Sequence, residues 1–237
     1  MAPNADYSFF FLYCYANHRD LHSSPTRRSS FLHGEALSKR LGTLALRDLR
    51  ARGVEPLALL SLMARLGSSD PVELRASMQE LTEGFDLSRF GSAPTKFDEQ
   101  DLFPLTARHL QGLPLSAVAG QVAALGVPDN LAEKFWGVVR ENITVLDDMG
   151  DWWALFSDGA APLVADEDRE FVTQAFALLP QAPYGVDTWA QWTAAVKDKT
   201  GRKGRALFMP LRLAVTGKQR GPEMAGVMAL LQKTPKL

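Results

Sequence analysis

GRKGRALFMPLRLAVTGKQRGPEMAGVMALL, residues 201–231, is the stretch from which the rest of the chain is read. It reads as a helical segment punctuated by glycine and proline, and it carries charge of one sign. Between residues 197 and 237, ten lysines and arginines stand against Asp198 and Glu223, a local charge of +8. Residues 129–170 hold eleven acids against Lys134, Arg140 and Arg169, a local charge of −8. The formal net charge of −1 therefore conceals a chain polarised along its length. A concentrated basic end is the electrostatic footprint of a polyanion partner; a solvated face is the plainer reading of the same charges. Arg202, Lys203 and Arg205 fall in a glycine-flanked turn, where backbone can approach a ligand closely. Arg212 lies deeper in the following helix, and its planar fork suits bases or phosphates. Thr216 and Gly217 close that helix, Pro210 predicts a kink in it, and Phe208 and Leu211 are expected to face inward.

Working outward, nearly every segment after residue 42 has the marks of a helix, and the expected class is all-α. Thr43 can cap a short helix ending at Gly53, and Pro56 opens another that ends at Gly67. Asp70-Pro71-Val72-Glu73 combines a cap with proline at the first helical position. Residues 85–95 read as a connection and the best candidate boundary. Asp98 then caps a helix over 99–110, and a further helix covers 115–125. The longest is expected over 131–149, with Phe135, Val138, Val139, Ile143 and Leu146 on one stripe. A helix over 167–179 follows. Thr188-Trp189-Ala190-Gln191 looks like a capping box that starts a helix ending at Gly201. Trp152-Trp153 and the pair Trp189 and Trp192 are expected in the core, with base stacking as the alternative. His109 reads as structural, and the acidic block lacks metal-ligand spacing.

At 237 residues, 46% hydrophobic and 22% charged, the chain can bury a core of one or two domains. A single cysteine, Cys14, rules out an internal disulfide framework and fits a reducing compartment. No apolar run reaches membrane-spanning length, and the acidic leader MAPNAD lacks the positive charge of a signal peptide.

Three motifs together carry a family likeness. Leu207, Phe208, Pro210, Leu211, Arg212, Ala214, Thr216, Gly217, Gly221, Pro222 and Met224 fit, in order, the closing pattern of the anticodon-binding domain in bacterial-type glutamyl-tRNA synthetases. Upstream, Gly34-Glu35-Ala36-Leu37-Ser38-Lys39-Arg40-Leu41-Gly42 resembles that family's KMSKS-type loop. Lys96-Phe97-Asp98 resembles the entry to its first anticodon-domain helix. The likeness covers roughly residues 33–237. One departure is Ala36, which stands where the family has the loop's first lysine.

The resemblance implies a helical stem-contact segment followed by a helical-bundle anticodon-binding domain, over 33–95 and 96–237. It implies a glutamate–tRNA ligase that uses ATP, with Mg2+, to make glutamyl-adenylate and passes glutamate to tRNA. Lys39 would stabilise charge developing on the α-phosphate, and Ser38, Lys39 and Arg40 would bind ATP. Arg202, Lys203, Arg205, Arg212 and Thr216 would contact tRNA, since unpaired bases are read by stacking and edge hydrogen bonds while cations hold phosphates. No metal ligands, no membrane, a monomeric state and a cytoplasmic location are expected. The sequence has no strand pattern or His-x-Gly-His motif for a Rossmann-type catalytic domain. The chain is therefore expected to be the tRNA-reading part of a synthetase, beginning near His33 and inactive alone. Residues 1–32 are expected to be foreign to the family, because a back-translation from Pro25 to Ser30 matches a sequencing-adapter oligonucleotide. Open alternatives are a free-standing tRNA-binding protein and a helical protein–protein interaction module. A paralogue that glutamylates a modified base fits less well, because that family lacks the anticodon domain.

Overall fold

A computed structural model describes residues 31–32, 35–36, 45–93 and 95–235. Phe31–Leu32 (β1) pairs antiparallel with Glu35–Ala36 (β2), a short ladder that joins the two sides of the expected 32/33 boundary. Apart from that ladder and one isolated bridge, regular structure among the described residues is helical, and the fold is all-α.

Helix α1, Leu46–Ala51, starts at Ala45, whose N–H donates to Asp48 Oδ2 at 3.1 Å. Thr43, the expected cap, lies outside the described residues. Helix α2, Pro56–Met63, opens with proline where a missing N–H costs nothing. The helix expected at Asp70–Glu73 begins only at Met78 (α3, Met78–Glu83), capped by Ser77, whose Oγ accepts from the Glu80 N–H. Asp70 is diverted from capping by two guanidinium groups, Arg65 at 2.9 Å and Arg89 at 2.7 Å. A guanidinium sets a full positive charge against the carboxylate, which a backbone N–H at a cap does not.

Asp98 caps a 3-10 turn, Glu99–Asp101, that leads into α4, Leu102–Gly112. Helix α4 lies along α2, so Phe97, Leu102 and Leu105 share a small core with Leu49, Ala58 and Leu62. That core straddles residue 95.

Helices α5 (Leu115–Ala124) and α6 (Asp129–Val139) pack as a pair. The single helix expected over 131–149 is two. A 3-10 turn spans Arg140–Asn142, Ile143 is extended, and α7 runs Asp148–Asp158. Asp148 holds the break open: its Oδ2 accepts from the N–H groups of Thr144 at 2.7 Å and Val145 at 3.0 Å. Local side-chain bonding of this kind competes with helix continuation.

The 3-10 turn Asp166–Asp168 leads into α8, Arg169–Phe176. Then come α9 (Thr188–Thr200), α10 (Arg205–Thr216) and α11 (Met224–Met228). Thr188 does not form the expected capping box. Its Oγ1 accepts from the Gly185 N–H at 2.8 Å, and Asp187 takes the cap position. Around Phe135, Trp136, Phe156 and Trp192, all buried, helices α5 to α11 enclose the larger core. The buried indoles are satisfied: Trp136 donates to the Leu113 carbonyl at 2.9 Å and Trp192 to that of Ala175 at 2.8 Å. Helix α11 packs on both α6 and α9. The Gln232 N–H donates to the Phe156 carbonyl at 2.8 Å. The basic end is thereby tied onto the body of the molecule.

Candidate nucleic-acid interface

The basic end divides into cations that are used internally and cations that face water. Arg202 belongs to the first group. Its Nη1 bonds Asp168 Oδ1, and its guanidinium lies 4.0 Å from the centroid of the Phe171 ring. The same Nη1 donates to the Ala206 carbonyl at 3.3 Å. That carbonyl lies four residues before Pro210, which has no N–H to give it. Arg202 thus repairs the gap that proline leaves in α10, which continues through Pro210.

Arg212 is likewise engaged. Both Nη1 and Nη2 donate to the Pro222 carbonyl at 3.1 Å. Burial pushes its pKa below the ordinary arginine range, although guanidinium stays charged at any working pH. Gly221, at φ +146°, runs tight against this bond. A Cβ there would sit 2.5 Å from Trp152 Cη2 and 3.0 Å from Arg212 Nη2. Thr216 is buried, its Oγ1 donating to the Arg212 carbonyl at 2.7 Å and accepting from the Lys218 N–H at 3.1 Å. Lys218 Nζ lies 5.3 Å from the Trp152 ring. Arg212, Thr216, Gly221 and Pro222 therefore form one brace holding the 217–223 loop against α7.

Lys203 and Arg205 are different. Both are exposed, and with exposed Lys197, Lys199 and Arg220 they form no ion pair among the described residues. Lys197 and Lys199 occupy the last turn of α9, where cations suit the helix dipole. Lys203 and Arg205 sit at the start of α10, which has neither a side-chain cap nor an acid in its first turn. Cations at that pole add to the positive end of the dipole, an arrangement suited to an anion.

Phe208 is the side chain that sequence reasoning placed wrongly. It is 45% exposed, whereas Leu207 and Leu211 are 1% and 0% exposed and face the core. The helical stripe runs through 207, 211, 214 and 215, leaving 208 on its flank. Reading the stripe from Leu207 rather than from Phe208 would have found it. Trp152 and Trp192 are buried as expected; Trp153 and Trp189 are half-buried. His109 Nε2 lies 3.9 Å from Glu55 Oε2 in a partly buried contact between α4 and the start of α2. Within the acidic block, Asp168 is partly shielded in its pair with Arg202, whereas the Asp158–Lys233 pair stays exposed. Ser38, Lys39 and Arg40 lie outside the described residues. Among the described residues, no group of His, Cys, Asp or Glu is arranged to hold a metal ion, and no helix is long and apolar enough to cross a membrane.

The profile described as the anticodon binding domain matches residues 116–235, and the chain belongs to that family. Within it, the similarity is to glutamate–tRNA ligases. The chain is 70% identical over 199 residues to glutamate–tRNA ligase 1 of Roseobacter denitrificans and, equally, to that of Ruegeria pomeroyi. Each match covers 84% of this chain and 45% of the relative, so the chain spans less than half the length of the curated relatives it matches. A solved glutamate tRNA ligase from Elizabethkingia meningosepticum, in complex with its amino acid, shares the fold at TM-score 0.59 and 20% identity over 77% of this chain and 39% of that one.

Proposed function

We propose that this chain is the tRNA-reading part of a glutamate–tRNA ligase, and that it holds tRNA phosphates with Lys203 and Arg205, assisted by Lys197 and Lys199. The observation that carries the reading is the set of exposed, unneutralised cations around the 201–204 turn of an anticodon-binding fold. Arg202, Arg212 and Thr216 serve the same surface indirectly, by fixing the turn and the 217–223 loop from within. Residues 33–95 act as the stem-contact segment and 96–237 as the anticodon-binding domain, with α4 as the strut shared between their cores. By the resemblance alone, Ser38, Lys39 and Arg40 bind ATP, and Lys39 stabilises the α-phosphate as glutamate attacks it. A monomer acting in the cytoplasm fits this reading.

Fluorescence anisotropy with labelled glutamate tRNA tests it. Lys203→Ala and Arg205→Ala are expected to weaken binding to all tRNAs alike and each to lower the salt slope by about one unit. Unchanged affinity and salt slope in the double variant would place the recognition surface elsewhere.

A further inference from the structure

We infer that Phe208 is a stacking platform for one unpaired nucleobase, set beside the phosphate-holding cations of the 201–205 turn. The inference rests on the reading of the basic end as an RNA surface and adds the group that separates unpaired from paired RNA there. Among the described residues from 45 onward, Phe208 is the only aromatic side chain in the exposed class; every other Phe, Tyr and Trp there is buried or half-buried. Its position is not a failure of the core to accommodate it, because Leu207 and Leu211 on the adjoining stripe are completely packed.

The ring is also backed. Trp189 lies 6.5 Å from it, centroid to centroid, at an interplanar angle of 35°. Trp189 meets Trp192 edge-on at 5.5 Å, and Trp192 is anchored by its bond to the Ala175 carbonyl. A ring in contact with an anchored aromatic cluster is partly preorganised, so less side-chain entropy is lost when a base settles on it. Arg205 precedes Phe208 by three residues, which places the two on one face of α10. A nucleotide whose phosphate meets Arg205 would have its base within reach of the phenyl ring. Alternating cations and stacking rings is the chemistry that binds single-stranded nucleic acid. Phenylalanine offers a π-face and no hydrogen bond, so the contact favours unpaired bases without choosing among them.

The test uses the whole chain and two RNA probes, the anticodon stem–loop of a glutamate tRNA and a blunt duplex of the same stem, with 2-aminopurine placed in turn at each loop position. Phe208→Leu keeps apolar volume and loses the π-face; Phe208→Trp keeps the face; Lys203→Ala/Arg205→Ala reports on phosphate contacts. Phe208→Leu is expected to weaken the stem–loop roughly tenfold, leave the duplex unchanged, and abolish quenching at one loop position. Phe208→Trp is expected to retain both the stem–loop affinity and the quenching, with the duplex again unchanged, and circular dichroism melting should be alike in both variants. The stacking role is overturned if Phe208→Leu binds the stem–loop as the unsubstituted chain does, or weakens loop and duplex equally. If the double cation variant still loses affinity in that case, RNA binding stands and only stacking fails. If the unsubstituted chain binds neither probe, both readings fall.

Discussion

The two halves of the basic end use the same residue types for opposite purposes. Between Lys197 and Arg205, most cations stand exposed and unpaired, and only Arg202 is tied down. From Arg212 to Pro222, the one arginine inside α10 is committed to a backbone carbonyl, and the residues around it close on one another. Arg205 and Arg212 are two turns apart on one helix, yet one faces water and the other braces a loop. Local charge does not distinguish them. What does is the presence of an acceptor: Pro222 folds back to Arg212, whereas among the described residues nothing folds back to Arg205.

The largest break in this contrast should come from Gly221→Ala. The added methyl would collide with Trp152 and Arg212 at a φ that L-residues rarely adopt, so about 3 kcal/mol of stability should be lost in urea unfolding. Arg212→Ala should follow, at about 2 kcal/mol, because two charge-assisted bonds to Pro222 disappear. Arg212→Lys should recover only part of that, since an ammonium cannot reproduce the fork. Lys203→Ala should leave the unfolding midpoint unchanged while weakening tRNA binding, the reverse pattern, and comparing the two variants in both assays is the sharpest statement of the contrast.

Smaller effects probe where the halves meet. Asp168→Asn removes the partner of Arg202, a pair only partly shielded from water, so its stability cost should be about 0.5 kcal/mol. With the acid neutralised, the charge of Arg202 is no longer offset, and tRNA affinity measured at low salt should rise slightly. The smallest effect concerns Asp158, whose carboxyl is held below the ordinary 3.8 by its hydrogen bond and ion pair with Lys233. Because its folded value is depressed, the pair's contribution is present above 3.8 and fades as pH falls through the lowered value. Lys233→Ala should return the Asp158 titration toward 3.8, as followed by carboxyl NMR.

The sequence was most legible where structure is made by near neighbours. Asp98 caps the turn before α4, proline opens α2, and α9 ends at Gly201 in the left-handed region, each within a few residues of the signal that announced it. The same signals misled where another group, distant or near, competed for the side chain. Asp70 looked like a cap and became an acceptor for Arg89, nineteen residues away. The periodic stripe over 131–149 marked burial correctly at Phe135, Val139 and Ile143, but Asp148 broke the helix that the stripe implied.

The site divides in the same way. By itself, the sequence determined the all-α class, the polarity of charge along the chain and the family, because periodicity, composition and ordered motifs are properties of the unfolded chain. Only the tertiary structure decided which cations remain available. Arg202 was taken by Asp168, thirty-four positions earlier, Arg212 by Pro222, and Phe208 was left outside by the packing of Leu207 and Leu211. An arginine's availability depends on whether the fold delivers an acceptor to it, and that is settled by parts of the chain its own neighbours in sequence do not specify.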